Sequence, residues 1–299
     1  MQEKLEFLLA LSREKHFGRA AQVCGVSQPN LSAAVKQLET ILGVPLVDRG
    51  ARFLGFTPEG ERVLEWARRI IGDFRSMHAD IETMKHGLTG HLKIAAVPTA
   101  LPVISRLTVA FWERHAGVRV TIASHTSTEV LSLLENLEVD AGITYLDQEP
   151  IGRLTEVPLY HERHHLITQR DGLFAGRPTV SWAEAGTLPL CLLSRDMQNR
   201  RIIDRVFAGV GVTIDPILES SSIEVLAAHL RIGRFSTILP RIMAEELALP
   251  DTLVSIPLVA PEVSSLIGLV VSQRDPQPPL TAALLSEMRA LAPVLVAAG

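Results

Sequence analysis

Between Phe17 and Glu39 the chain carries two short apolar-faced segments separated by a single glycine, and this spacing constrains what the rest can be. In the first segment Ala20 and Ala21 are small enough for a second helix to pack closely, Gly25 supplies a turn, and Val26 points back toward a core. In the second, Ser27 is placed as an N-cap, with Pro29 in the first helical turn, where backbone N–H groups lack helical partners anyway. Leu31, Val35 and Leu38 then recur at +4 and +7. That stripe forces Pro29, Ser32, Ala33, Lys36 and Thr40 onto the opposite face, which is small, polar and free of acids. Such a face fits the DNA major groove: Gln28 and Asn30 can reach base edges, Ser32 a base or phosphate, and Lys36 a phosphate. An ordinary amphipathic surface helix would show the same stripe, so the helix alone does not choose.

The next twenty residues separate these two possibilities. Leu46 to Phe56 reads as two short strands around a turn at Gly50, with Arg49 and Arg52 at the tip, the form of a basic wing that lies along a phosphate backbone. Thr57-Pro58-Glu59 opens another helix, with Thr as N-cap, Pro at the first position and Glu near the positive end of the helix dipole. Helix, turn, helix, wing and long helix form one ordered set.

Ser27-Gln-Pro-x-Leu-Ser followed by Leu38-Glu39, then Leu42-Gly-x-Pro-Leu46, Arg49-x-x-Arg52 and Thr57-Pro-x-Gly60, resemble the amino-terminal signature of LysR-type transcriptional regulators. The resemblance runs without a gap over about sixty residues and continues more loosely to the carboxyl end. It departs at Val47, where the family usually has Phe, and at Phe56, where it usually has Leu; both are apolar swaps expected to repack the base of the wing. The resemblance implies double-stranded DNA as partner, contacted from Ser27, Gln28, Pro29, Asn30, Ser32, Ala33, Lys36, Arg49, Arg52 and Thr57. It also implies a homodimer or homotetramer, a small-molecule effector, and RNA polymerase as a further partner if the protein activates.

Composition fits this picture without forcing it. With 299 residues, 47% hydrophobic and 21% charged, the chain is expected to be globular and to hold two or three domains. Gln2, Glu3 and Lys4 do not begin a secretory signal, and no run of 18 apolar residues is present, so a cytoplasmic location is expected. The net charge of −4 counts at first sight against a nucleic-acid partner, which makes its distribution matter more than its sum. Residues 1–58 carry seven Lys and Arg against five Asp and Glu, and the remainder 22 against 28. The amino-terminal module is therefore expected to use a few placed cations. Cys24 and Cys191 are expected as small buried hydrophobes, since a thiol switch needs two cysteines able to meet and these fall in different segments.

After Thr57, the residues Val63, Ala67, Ile70, Phe74, Met77, Ile81, Met84 and Leu88 alternate spacings of four and three, a 3.5-residue seam that asks for a partner helix. From Pro58 to His86 such a helix is roughly 43 Å long. Gly87 and Gly90 then stop it and form a hinge. The expected organisation is a DNA-binding domain over 1–58, a dimerisation helix and hinge over 59–89, and an effector domain over 90–299.

Beyond Gly90 strands and helices alternate. Strands are expected at His91–Val97, Val118–Ala123, Asp140–Tyr145, His164–Gln169, Leu188–Ser194, Pro216–Ser220, Ser236–Leu239 and Ser265–Val271, with helices at Leu101–His115, Thr128–Glu138, Asn199–Ala208, Ile223–Ile232 and Leu280–Leu291. This predicts an α/β fold with a mostly parallel sheet. Two subdomains are expected, I at about 90–160 and 266–299 and II at about 161–265, joined by crossovers near Tyr160 and Ala260. The resemblance adds an effector domain similar to periplasmic binding proteins. Ligands of open α/β sheets sit beyond strand carboxyl ends, near helix N-termini. Thr99, Ala100, Thr126, Ser127, Arg195, Arg200 and Ser221 fall there, and hydroxyls with arginines favour a small anion. The family's usual Gly-x-Gly stands here as Gly233-Arg-Phe-Ser236, so Phe235 is expected to narrow or reshape the pocket.

His161-Glu-Arg-His-His165 looks like a metal cluster, but on a strand its side chains alternate between faces, and no metal or cofactor is expected. No nucleophile elbow, zinc-protease motif, phosphate loop or dinucleotide fingerprint is present, so catalysis has no positive sign. The reading from another class is a solute-binding or enzymatic α/β domain with an incidental helical amino terminus.

Overall fold

The computed structural model describes residues 1–49, 53–148, 150, 152, 154–247 and 249–298. It divides into two compact units. One comprises Met1–Gly87 with Glu135–Glu138 and Arg274–Pro279; the other comprises Leu88–Leu134, Val139–Gln273 and the chain from Leu280 onward.

The first unit is built from α1 (Gln2–Glu14), α2 (Phe17–Val23), α3 (Gln28–Leu42), β1 (Val47–Arg49), β2 (Phe53–Phe56) and α4 (Pro58–His86). Its core joins Leu8 and Leu11 of α1, Ala20 and Ala21 of α2, Leu31, Val35 and Leu38 of α3, Leu46, and Leu64, Ala67 and Ile71 of α4. Gly25 turns with φ 66°, as the α2–α3 corner requires. The antiparallel β1–β2 pair sets Val47 opposite Phe56. The two departures from the family pattern are thus cross-strand partners, small for large on one strand and large for small on the other, a volume-conserving exchange. The turn at Gly50 and Arg52 lies outside the described residues.

Helix α4 carries two stripes. Gly60, Leu64, Ala67 and Ile71 are buried, and Val63 packs partly against the same core, while Trp66, Ile70, Met77, Ile81 and Met84 are exposed with Phe74 half-buried between them. This corrects the expected seam. Ala67 and Val63 face the unit's own core and are not available to a partner helix, and Trp66 begins the outer stripe instead. A 3.5-residue spacing runs one stripe into the other over about the first four turns, where α4 is both a core helix and a surface helix.

The second unit runs β3 (Gly90–Ala96), a 3-10 turn (Pro98–Ala100), α5 (Leu101–Arg114), β4 (Val118–Ser124), α6 (Ser127–Glu135), β5 (Ala141–Tyr145), β6 (Leu154–Gln169), β7 (Val180–Ser181), α7 (Trp182–Ala185) and β8 (Cys191–Leu193). It continues with α8 (Gln198–Gly209), β9 (Leu218–Ser220), α9 (Ile223–Arg231), β10 (Thr237–Pro240), α10 (Arg241–Glu246), β11 (Leu253–Val259), β12 (Ser264–Ser272) and α11 (Pro279–Ala298). The sheet order is β4-β3-β5-β12-β6-β11-β7, with β10 also on β6.

The sheet is mixed rather than mostly parallel. β3 pairs parallel with β4 and β5, but β12 is antiparallel to both β5 and β6, and β10 and β11 are antiparallel to β6. The cause is β6, 16 residues long. Its first part pairs with β12 in one lobe and its last part, from His164 on, with β10 and β11 in the other. The expected crossover at Tyr160 is therefore an unbroken strand. At Ala260, by contrast, the chain does turn, with φ 56°. β7, α7, α10 and β11 lay unseen in the sequence; Pro257 inside β11 weakens its strand pattern. Two apolar clusters, one with Val103, Phe111, Ile143 and Leu269 and a smaller one with Ala95, Val130, Leu134 and Val270, fill the first lobe, and two, around Trp182 and around Leu226, fill the second.

Gly60 gives the fold a test. A Cβ there would collide with the carbonyl oxygen of Leu46, backbone that cannot swing aside. Helix preference for Ala over Gly favours the substitution by up to about 1 kcal/mol, but a forced shift of the base of the wing costs about 1–3 kcal/mol. Gly60→Ala is expected to lower the urea midpoint of the intact protein; an unchanged midpoint would show that α4 and β1 separate freely.

Candidate functional site

The exposed face of α3 is the first candidate. The Ser27 hydroxyl caps the helix by accepting from Asn30 N at 3.4 Å, and Gly43 closes it with φ 74°. Because Leu31, Val35 and Leu38 are fully buried, Gln28, Pro29, Asn30, Ala33 and Lys36 are exposed, and Ser32 is half-buried at the edge of the face. Glu39 ties this helix to the wing: its Oε1 accepts from the backbone N–H of Leu46 at 3.0 Å and of Val47 at 3.2 Å. That tie fixes where the wing begins relative to α3, a role the sequence motif contains without displaying.

Two expected contacts change. Thr57 is buried, its hydroxyl donating to Pro45 O at 2.7 Å and accepting from Gly60 N at 2.9 Å. It joins wing to α4 and has no free face for DNA. The Arg49 backbone ends β1, whereas Arg52 lies outside the described residues.

The second candidate is the cleft between the lobes of the second unit. Val97, Pro98, Thr99, Thr126, Ser127 and Tyr145 line it from one lobe, and Leu193, Met197, Gln198 and Asn199 from the other. Its internal volume of about 10 Å³ is room for a single water. Two bridges close it: Arg201 Nη2 donates to Ser127 Oγ at 3.0 Å, and Arg205 Nη1 to Gln148 Oε1 at 2.9 Å.

Behind the cleft wall lies a buried polar run. The Tyr145 hydroxyl donates to Glu162 Oε2 at 3.0 Å, Thr99 Oγ1 stands 3.2 Å from that hydroxyl, and the Tyr160 hydroxyl reaches Glu162 Oε1 at 3.5 Å. Both tyrosines of the chain converge on this one carboxyl. Burial pushes Glu162 up to about 7, against the pull of the three hydroxyls and with the negative charge of Asp147 adding to the rise. His164, two residues on along the same strand face, is held down to about 4 by burial and by His165. Asn199 Nδ2 donates to its Nε2 at 3.1 Å, and Trp182 packs on its ring. The His161–His165 run thus sends Glu162 and His164 inward, and among the described residues no three His, Cys, Asp or Glu side chains group to hold a metal ion.

The effector residues expected from sequence divide. Thr99, Thr126 and Ser127 line the cleft. Ala100 is buried beside it, but its N–H is held by Val97 O. Arg200 is wholly buried and turned to its own lobe, bonding Asp204 at 2.7 Å, Glu219 at 2.8 Å and Leu193 O at 3.0 Å. Engaged by two carboxylates, it offers no charge to an anion. Arg195 is exposed, 3.7 Å from Glu219; Ser221 is exposed; and Phe235 packs on the Leu226 cluster and the His229 ring, away from the lining. Of the other residues here, Tyr145 has no site reading from sequence, Gln198 and Asn199 fall inside the expected 195–200 loop without being singled out, and Glu162 and His164 figure there only in the metal-like run. The alternation of a strand through Glu162 and His164, and two lone tyrosines, were the available signals.

A helix-turn-helix with an exposed acid-free face and a wing, and a two-lobed α/β unit with a polar cleft, define a DNA-binding protein that carries a small-molecule domain. Residues 2–61 match the family model described as bacterial regulatory helix-turn-helix protein, lysR family, and residues 85–293 match the LysR substrate binding domain. The chain belongs to the LysR family: it is a ligand-responsive transcription regulator, not an enzyme or a solute-binding domain with an incidental helix. It is similar to the hydrogen peroxide-inducible genes activator of Escherichia coli O157:H7, 28% identical over 273 residues that span 91% of this chain and 89% of that one. Among solved structures it resembles full-length OxyR from Pseudomonas aeruginosa, with TM-score 0.73, 23% identity and coverage of 98% and 99% of the two chains. It also resembles full-length CbnR complexed with its target DNA, with TM-score 0.60, 21% identity and coverage of 98% and 100%.

The buried acid sets a pH dependence. Between its ordinary 4.5 and about 7 the folded chain holds the Glu162 proton that the unfolded chain has lost, so stability falls as pH rises through that window, by about 3 kcal/mol in all. His164 works oppositely, since the folded chain refuses a proton between 6.5 and about 4, so its contribution is lost as pH falls there. Above 6.5 Glu162 acts alone. Denaturant unfolding across this range is expected to show a decline above pH 6.5 that Glu162→Gln abolishes; parallel curves for the two proteins would contradict the assignment.

Proposed function

We propose that α3 enters the DNA major groove, with Gln28, Asn30 and Ser32 at base edges, Pro29 and Ala33 packed close against them, Ser27 at the helix entry, and Lys36, Arg49 and Arg52 on phosphates. The observation that carries this is the exposed acid-free face of a helix whose other face is fully buried and whose carboxyl end is tied by Glu39 to the wing. The same-family CbnR structure bound to target DNA supports it. Two chains pair through the outer stripe of α4, from Trp66 through Ile70, Phe74, Met77 and Ile81 to Met84. A further apolar surface, Val109, Trp112 and Ile122 on α5 and edge strand β4, offers a second contact for a tetramer. The protein acts in the cytoplasm, and contacts RNA polymerase where it activates.

The cleft takes the small-molecule effector, and differential affinity for two lobe arrangements biases the DNA-binding heads. With Arg200 engaged, the case for an anion loses its cation. The name of the peroxide-inducible relative raises peroxide as an input, but oxidation of a thiol needs an accessible, low-pKa cysteine. Cys191 is buried with its thiol pushed up to about 11, and burial raises Cys24 also, so we leave peroxide out of the proposal.

Two experiments test this reading. A duplex selected from random DNA by the wild-type protein is compared with its scrambled form across salt concentration. Gln28→Ala is expected to lose about 1–3 kcal/mol of discrimination, while Lys36→Ala weakens both duplexes alike and lowers the salt slope by about one; unchanged discrimination in Gln28→Ala would refute base reading. For assembly, Met77 is 52% exposed, so Met77→Glu leaves the unit folded but places an unpaired charge between two copies of α4, at several kcal/mol. Sedimentation should show dissociation, and an unaltered oligomer would remove α4 from the interface.

A further inference from the structure

The wall of the cleft has no fixed hydrogen-bonding sense. Thr99 and Tyr145 line it, and their hydroxyls continue through contacts of 3.2 Å and 3.0 Å to Glu162, with Tyr160 on its other oxygen. All four side chains are buried. A carboxylate only accepts, whereas a carboxylic acid donates once. With Glu162 ionised, Tyr145 and Tyr160 both donate their protons to it, and the Tyr145 oxygen, the one of the two on the cavity lining, presents only lone pairs there beside Thr99 and Asn199. With Glu162 protonated, it donates to the Tyr145 oxygen, whose own proton turns to Thr99 or to the cavity. Beside this wall Asn199 Oδ1 is buried without a partner, as is His164 Nδ1 on the ring it holds. An unmet acceptor on the lining, two percent exposed, points to a bound molecule.

We infer that Glu162, acting through Tyr145 and Thr99, sets whether the effector cavity recognises a hydrogen-bond donor or an acceptor, so that ligand binding is coupled to one proton exchanged with solvent. This rests on reading the cleft as the effector site. The ionised wall takes a small amine-type cation, and Glu162 releases its proton to solvent as the cation enters. The protonated wall takes a small carboxylate, with a proton taken up. Glu162 is a positioning residue here, not a direct contact.

The neighbours of Glu162 permit this. Tyr145 faces it from β5, Tyr160 and His164 from its own strand, Thr99 from the turn before α5, and Ser265 stands across on β12 with its hydroxyl unpartnered. Asp147 is the charged neighbour that raises it further, and burial leaves it near neutrality, where both wall states are populated.

Methylammonium and formate are suitable probes, because each is small and neither titrates near neutrality. Thermal unfolding of the full-length protein is followed with each at matched ionic strength, at about pH 6 and about pH 8. In the wild type, methylammonium is expected to bind about tenfold tighter at the higher pH and formate about tenfold tighter at the lower, because the ionised fraction changes about tenfold across that interval. Glu162→Gln should bind formate equally at both and lose the methylammonium response. Tyr145→Phe, which keeps the acid but cuts the relay, should lose the crossover too. A crossover that persists in Tyr145→Phe, or a wild-type protein that responds to neither probe or equally at both pH values, overturns the proposal. Binding of the selected duplex, measured alongside, tests the regulatory reading separately, since its failure would leave the pH crossover untouched.

Discussion

One strand carries the second unit. β6 pairs with β12 in one lobe and with β10 and β11 in the other, so neither lobe completes its sheet without it. A strand shared in this way joins two cores by continuous backbone, with the twist of the sheet accumulating along it. Glu162 and His164 sit on its inward face where the pairings change over, the first still opposite β12 and the second already opposite β10. The polar groups behind the cleft are thus attached to the element that any lobe movement must bend.

A comparable economy marks the first unit. Glu39 uses one carboxylate oxygen for two wing amides, and Thr57 joins the wing to α4 with one hydroxyl serving as donor and acceptor. Neither residue faces outward, yet both decide where the outward residues stand. α4 in turn closes the domain core with Leu64, Ala67 and Ile71 while leaving Trp66, Met77 and Ile81 on its far side. Its first turns, as far as Ile71, cannot be altered for assembly without also disturbing the fold.

Local patterns were legible where one physical cause ruled. The caps at Ser27 and Thr57, the buried stripe of α3 and the alternation of the first βαβ segment each followed from short-range rules. The sheet became mixed because a long-range return, β12 between β5 and β6, has no local signature. Arg200 misled for a related reason. Its place near a strand end suggested a ligand contact, but Asp204 one turn on and Glu219 on β9 hold it inside its lobe. Glu162 hid in a run that looked like metal ligands, although period-two alternation alone would have paired it with His164.

The closed cleft has a consequence in time. A space for one water, bridged by Arg201 to Ser127 and by Arg205 to Gln148, admits a larger molecule only while the lobes are apart. Occupancy then scales with the open fraction, and the speed of loading saturates at the rate of opening however much ligand is offered.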